Sequence, residues 1–406
     1  MKLSEIREIL SSQRHALDAR DGGLLREVLT ELPDIASHAL IVSGIRRCGK
    51  STVLSQFVHA LGKPFLFLNF DDLRLSRFSV PDYALLDQTI KEQHPDILFF
   101  DEIQSAPEWE LYVRQKLDEG YQVVIAGSNA SLLSQELGSR LTGRHISKEL
   151  FPFSFAEYCA FSHRTRNGAA LEAYLDSGGF PEYLKRGVPE ILSQLLSDIL
   201  YRDIAVRHGI RDVSSLERLL TTLLSNAAHL VSPSKLSPSV GLKSPSTALE
   251  YFSHLEASYL IQTVHRFSWS VKAQSLSPKK LYVTDSGLIK AGSLSFSQDR
   301  GSLLENFVFM EFRRHTRDIF YFNEQEKECD FIVSPHGSHP LCVQVTWEIT
   351  GDNEGREVQG LLSALRFFDQ AEGVILTFDS SDTILLEGKT IRVVPAWEFN
   401  FSSGKA

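Results

Sequence analysis

An apolar run, His38-Ala-Leu-Ile-Val42, flows without a break into Ser43-Gly44-Ile-Arg-Arg47-Cys48-Gly49-Lys50-Ser51-Thr52. The register Gly44-x-x-x-x-Gly49-Lys50-Ser51 fits a phosphate-binding loop set between a strand and a helix, and nothing else in the chain restricts the fold as tightly. The two glycines let the backbone curl around phosphate oxygens, so that successive N–H groups and the following helix N-terminus face the anion. Gly44, Arg47, Cys48, Gly49, Lys50, Ser51 and Thr52 are therefore the candidate nucleotide cradle. Lys50 can reach the β- and γ-phosphates, and the Ser51 hydroxyl can bind Mg2+. Such a pattern also arises by chance in surface loops, but here the context agrees. Residues 38–42 read as a buried parallel strand, and Ser51 to Leu61 places Val53, Leu54, Phe57 and Leu61 on one side of a helix.

Three more apolar runs follow. Pro64-Phe-Leu-Phe-Leu-Asn-Phe-Asp-Asp-Leu73 reads as a second core strand ending in acids. Asp96-Ile-Leu-Phe-Phe-Asp101-Glu102 is a third, ending in two carboxylates: Asp101 can hold Mg2+ through water, and Glu102 can orient and polarise an attacking water. A strand followed by exposed acids is common, and its pairing with a phosphate-binding loop upstream gives it weight. Gln122-Val-Val-Ile-Ala-Gly-Ser128-Asn129 is a fourth strand, with small polar residues at its tip. Beyond it, Ser139-Arg140-Leu-Thr-Gly143-Arg144 supplies two arginines. Either can serve as an arginine finger on the transferring phosphoryl group, supplied by a neighbouring subunit of a homo-oligomer; a solvated or internally paired arginine is the alternative for each.

Composition narrows the class. At 406 residues, 43% hydrophobic and 23% charged, the chain is globular and long enough for two to four domains. No apolar stretch approaches the roughly 18 residues of a membrane span, and Met1-Lys-Leu-Ser-Glu-Ile lacks a signal-peptide core. The expectation is a cytoplasmic protein with no membrane partner. Cys48, Cys159, Cys329 and Cys342 are scattered, which argues against structural zinc and a disulfide framework. A net charge of -9 argues against a uniformly basic nucleic-acid binder and leaves a local basic face open.

The series GIRRCGKST, FLNFDD, LFFDEIQ, VVIAGSNASLLS, LTGR, LFPFSFAEY and GGFPEYL is similar to the prokaryotic AAA+ ATPases that carry an AAA_14 core followed by a DUF4143 region. The motifs lie in the expected order over most of the chain. The resemblance implies an α/β fold: a P-loop AAA+ core with a parallel sheet and helical lid, then a winged helix-turn-helix, then a PD-(D/E)xK nuclease-like α/β domain. The expected boundaries are an N-terminal helical segment at 1–34, the ATPase core at 35–165, the lid at 166–228, the winged helix at 229–294 and the nuclease-like (DUF4143) domain at 295–406. It further implies that the strand of Asn129 lies between those of the P-loop and Asp101, with Asn129, or next Ser128, sensing the γ-phosphate. Pro181 in Gly179-Phe180-Pro181 resembles a lid proline that touches adenine, and a helix-stopping turn is the competing account.

Downstream, Leu192, Leu195, Leu196, Ile199, Leu216, Leu219, Leu220, Leu223 and Leu224 mark a helical core. Residues 234–255 fit helix, Gly241 turn and capped second helix, with strands at 260–264 and 280–285 as a wing and Lys272, Lys279 and Lys280 near its tip. The second helix carries Ser244, Ser246, Thr247 and His254 but little basic charge beyond Lys243, so duplex DNA and a protein partner are both open. In the last domain Glu305 and Asp330 occupy two nuclease positions, while the third reads Gln344-Val345-Thr346, without its carboxylate and lysine. Loss of a carboxylate weakens a hard-cation site; the module reads as inactive unless a lysine from elsewhere, such as Lys327, restores it. The reading is a Mg-dependent ATPase coupling nucleotide state to these modules. The alternatives are a slow nucleotide-dependent switch on a protein partner and an ATP-gated nuclease.

Overall fold

Strands apolar on both faces belong in a parallel sheet covered by helices, and the first half of the chain builds one. The computed structural model describes residues 1–404 other than 34, 36, 129–140, 142, 295–298 and 338. Its five strands are β1 (Ala39–Ser43), β2 (Phe65–Asn69), β3 (Ile97–Asp101), β4 (Gln122–Gly127) and β5 (His145–Glu149), in the order β2-β3-β4-β1-β5. All pairings are parallel. The registers Asn69↔Asp101, Asp101↔Ala126 and Ser43↔Gly127 align the carboxyl ends of β2, β3, β4 and β1 on one edge. Open α/β sheets bind ligands outside that edge.

Helices α1 (Leu3–Asp18), α2 (Lys50–Ala60), α3 (Tyr83–Gln93) and α4 (Trp109–Asp118) surround the sheet elements in sequence. The expected separate N-terminal segment is part of this layer: Ile6, Ile9 and Leu10 of α1 share one core cluster with Leu66, Leu68 and Phe100. In α2 the buried side is Val53, Leu54, Phe57 and Val58, whereas Leu61 caps the helix and is 37% exposed. Val58 lies one helical turn beyond Leu54 and so shares its face, while Leu61 falls past the last turn.

The chain divides into two units, Met1–Phe151 and Pro152–Ala406. The helix Phe155–Phe161 packs within the second unit. The Phe155 N–H donates to Glu311 Oε1 at 3.3 Å and its ring meets Phe307 at 5.9 Å.

In the second unit, helices through Val213–Leu224 bury every leucine and the isoleucine marked as helical core. Helices Pro233–Ser239 and Pro245–Ala257 are joined through Gly241 at φ +79°, and Ser244 Oγ accepts the Thr247 N–H at 3.3 Å. Around them lie β6 (Leu230–Val231), β7 (Ile261–Val264) and β8 (Lys279–Val283), antiparallel in the order β6-β8-β7. Lys280 is not at an exposed tip as the sequence suggested: it is 4% exposed. The last sheet contains β9 (Ile319–Glu324), β10 (Lys327–Val333), β11 (Leu341–Val345), β12 (Glu372–Thr377), β13 (Asp382–Leu386) and β14 (Lys389–Pro395), ordered β13-β14-β12-β11-β10-β9. Helix Glu354–Phe367 makes the parallel crossover from β11 to β12.

Candidate active site

Gly44 follows β1 where the chain runs against the end of β5. A Cβ here would sit 2.0 Å from the Leu150 carbonyl oxygen, so only glycine fits. Cys48 ties the loop to the same place: its thiol donates to Leu150 O at 3.3 Å and its side chain is fully buried. Arg26, 5% exposed, adds a second tie by donating to Cys48 O at 3.0 Å and Phe151 O at 2.8 Å. The bend closes through Arg47 at φ +64° and Gly49 at φ +103°, after which α2 starts at Lys50. The amides of the first turn of α2 therefore face into the loop, where the positive end of the helix dipole lies. Thr52 is half-buried in that turn.

Lys50 Nζ donates to Gly44 O and Ile45 O, both at 3.0 Å, which holds the ammonium within the loop. Ser51 Oγ donates to Asp101 Oδ2 at 2.6 Å. Asp101 is 3% exposed, and its other oxygen, Oδ1, is buried without a hydrogen-bond partner. Burial, joined by the charge of Glu102, pushes its carboxyl up to about 6 against the Ser51 hydrogen bond and the charges of Lys50 and Arg20. An orphaned carboxylate oxygen beside a hydroxyl is the donor set that Mg2+ takes from a protein when phosphates and waters complete its shell. The residues present fit that ion. Among the described residues no group of three or more His, Cys, Asp or Glu is arranged to hold a metal as the side chains stand.

Glu102 sits at φ +51°, turned from the strand axis. Its Oε2 accepts from Ser128 Oγ at 3.0 Å, from Ser128 N at 3.3 Å and from Gln104 Nε2. Ser128, at the tip of β4, is thus brought to the candidate base, and β4 does lie between β1 and β3. Asn129 and Arg140 lie outside the described residues. Arg144 precedes β5, beside the start of β1 and a strand length from the P-loop edge. It pairs with Asp118 and donates to Leu117 O at 3.3 Å.

Pro181 belongs to the second unit, where it opens the helix Pro181–Arg186. The preceding glycines are structural. The Gly179 N–H donates to Asp285 Oδ2 at 2.7 Å, and Cβ atoms on Gly178 and Gly179 would lie 1.9 Å from Asp285 Oδ1 and 2.4 Å from Phe153 O. Neither Arg26 nor Ser128 as the partner of Glu102 was evident from the motif, whose pattern ends before either contact is formed. A cavity of about 420 Å3, lined in part by Gln13, Arg20, Asn69 and Asp72, also opens beside the carboxyl end of β2, and no sequence pattern marked it.

The fold and site define a P-loop protein of the AAA class, and residues 36–159 match the AAA_14 family, an AAA domain. The chain belongs to the same family as the uncharacterized protein MJ1544 of Methanocaldococcus jannaschii, to which it is 31% identical over 406 residues, 92% of this chain and 90% of that protein. An uncharacterized Haemophilus influenzae protein is 28% identical over 380 residues, 88% of this chain and 93% of its own length. Residues 168–299 match DUF8612, a domain of unknown function, which corrects the expected DUF4143 assignment. That match spans both the expected lid and the expected winged helix. The Thermotoga maritima RuvB Holliday junction branch migration motor aligns at 18% identity and a TM-score of 0.31, covering 63% of this chain and 88% of that one.

Proposed function

We propose that the protein is a Mg-dependent AAA+ ATPase that couples its nucleotide state to the second unit. The observation that carries the reading is the Ser51–Asp101 pair at 2.6 Å with Asp101 Oδ1 left unpartnered beside the P-loop. Lys50 and the α2 amides bind the phosphates, while Ser51 and Asp101 hold Mg2+. The ion, when bound, neutralises charge on the phosphoryl oxygens. Glu102 takes the proton of the attacking water once Ser128 and Gln104 release its carboxylate. Asn129 senses the γ-phosphate, and Arg140 or Arg144 acts from a neighbouring copy. Pro181 is assigned to adenine contact.

The division of labour follows the same proposal: ATPase core at 35–165, lid at 166–228, winged helix at 229–294 and nuclease-like domain at 295–406. The glycine-turned helix pair and antiparallel strands support the winged helix, and it reads duplex DNA with Lys243 and Lys272 at phosphates. Burial of Lys280 reduces that basic face and favours a second reading, a protein partner. ATP turnover measured with and without duplex DNA over a salt series separates them: DNA stimulation that fades with salt supports the first, and salt-insensitive partner binding the second. Lys50→Ala should abolish nucleotide binding, and Glu102→Gln should bind ATP without turning it over. Equal turnover in wild type and Glu102→Gln removes Glu102 as the base, and no turnover by the wild type removes the ATPase assignment.

A further inference from the structure

The second unit contains a buried charge cluster that the ATPase chemistry does not use. Lys280 of β8 projects its ammonium between three carboxylates, with Nζ 2.6 Å from Asp330 Oδ1, 2.8 Å from Glu328 Oε1 and 3.0 Å from Glu305 Oε1. The lysine side chain is 5% exposed, and those of Glu305 and Asp330 are 13% and 7% exposed. Neutral donors add to this shell. Tyr282 OH donates to Glu305 Oε1 at 2.7 Å, and the Val345 N–H donates to Asp330 Oδ2 at 2.9 Å.

Glu305 and Asp330 are the two acids that the sequence placed in nuclease positions. The third position, Gln344, faces elsewhere: its amide accepts the Asp330 N–H at 3.2 Å and donates to Glu357 Oε2 at 2.6 Å. Thr346 Oγ1 donates to Glu348 O at 3.1 Å. Lys327 is exposed at the start of β10. Among the described residues, the ammonium in contact with these acids comes from β8, which in sequence precedes the last sheet.

We infer that the Lys280 ammonium is an intramolecular replacement for a divalent cation: it occupies the centre of a carboxylate shell, offsets part of its charge and closes it to metal. Glu328 is 30% exposed, but Glu305 and Asp330 are buried, and buried carboxylates that stay charged require a positive partner. Hard divalent ions take such oxygens at about 2.0–2.6 Å, whereas an ammonium takes them at hydrogen-bond length, as here. Burial opposes the charge on Lys280, but Asp330 and Glu305 outweigh it and hold the ammonium well above the ordinary lysine value. The replacement also fastens β8 to the last domain. Around it, Asn306 Oδ1 accepts the Val283 N–H at 2.8 Å, its Nδ2 donates to Val283 O at 2.9 Å, and Tyr282 stacks on Phe309 at 4.0 Å. The strand bearing Lys280 is held as part of the C-terminal packing, so the helix-turn-helix segment and the last sheet are tied through one charged joint.

Mn2+ titration of the full-length protein without nucleotide tests this, in an Asp101→Asn background so that the P-loop carboxylate does not contribute. With Lys280 intact the protein should take up no Mn2+. Adding Lys280→Ala should create uptake of about one ion per chain, lost again when Asp330→Asn is added, with circular dichroism unchanged. Uptake with Lys280 present, no uptake by folded Lys280→Ala, or uptake that survives Asp330→Asn overturns the inference. If Lys280→Ala is recovered unfolded, refolding from urea decides: recovery improved by Mn2+ supports the replacement, and equal recovery with and without Mn2+ refutes it.

Discussion

Gly44→Ala tests whether the P-loop is held by its contact with the end of β5. The added Cβ would lie 2.0 Å from Leu150 O, about 1.4 Å short of ordinary contact at 3.4 Å, and 3.3 Å from Cys48 Sγ. The obstacle is backbone, so relief requires β1 and the chain after β5 to part. That separation strains the Leu150 N–H bond to Ser43 O, now 2.8 Å, and the Cys48 thiol bond to Leu150 O. Overpacking costs about 1–3 kcal/mol, and a buried backbone group left unpaired adds about 1–3 kcal/mol. The sum, about 2–6 kcal/mol, is a large share of the roughly 5–15 kcal/mol that holds a domain together. Two other glycines calibrate the effect. At Gly49 the nearest atom to a Cβ is Arg26 Nη1 at 3.6 Å, so only the φ of +103° resists alanine, a backbone penalty of about 1–2 kcal/mol. At Gly22 nothing lies within 4 Å, and alanine should be neutral to about 0.5 kcal/mol. Urea unfolding read by hydrogen–deuterium exchange on peptides covering β1 and β5 confines the measurement to the first unit. Nucleotide binding should fall with Gly44→Ala. A Gly44→Ala curve that overlays wild type, or a loss smaller than that of Gly49→Ala, refutes the reasoning.

Asp285 is buried and its carboxyl is pushed from 3.8 up to about 6 by burial, against hydrogen bonds from Gly179 and Gly287. A raised acid binds its proton more tightly in the folded state, so its contribution is fully favourable below the unfolded value and is lost as pH rises through about 6. Stability of the second unit should fall by about 3 kcal/mol or less over that window, and Asp285→Asn should flatten the slope in a pH series of urea melts; an unchanged slope removes Asp285 as its source. Arg144→Ala should alter stability by less than about 1 kcal/mol, since its pair with Asp118 is surface-exposed. Turnover should drop about a thousandfold or more if it acts as a finger, and mixing with Lys50→Ala should restore part of it. Full turnover by Arg144→Ala alone takes the role from this residue.

The parts of this fold legible in the sequence are those whose information is local. The strands β1 to β4 were visible because a doubly covered parallel sheet needs uninterrupted apolar runs, and the Gly44–Ser51 loop because its backbone geometry fixes residue types at fixed spacing. Lys280 shows where this fails. Beside Lys279 it reads as basic charge on a wing, since a strand sends neighbouring side chains to opposite faces and sequence does not say which face is wet. The answer depends on Glu305 and Asp330, 25 and 50 residues further on, which reach Lys280 only when the fold is formed. Gln344 in place of a carboxylate weakens a hard-cation site, yet Glu305 and Asp330 remain, and buried charged acids need a positive partner. A lysine from another segment was therefore an open expectation, with Lys327 as the example, and the residue found is Lys280. In the proposed replacement, Gln344 turns to Glu357 and Lys280 to Asp330, so that one of the chain's own side chains stands where an ion would.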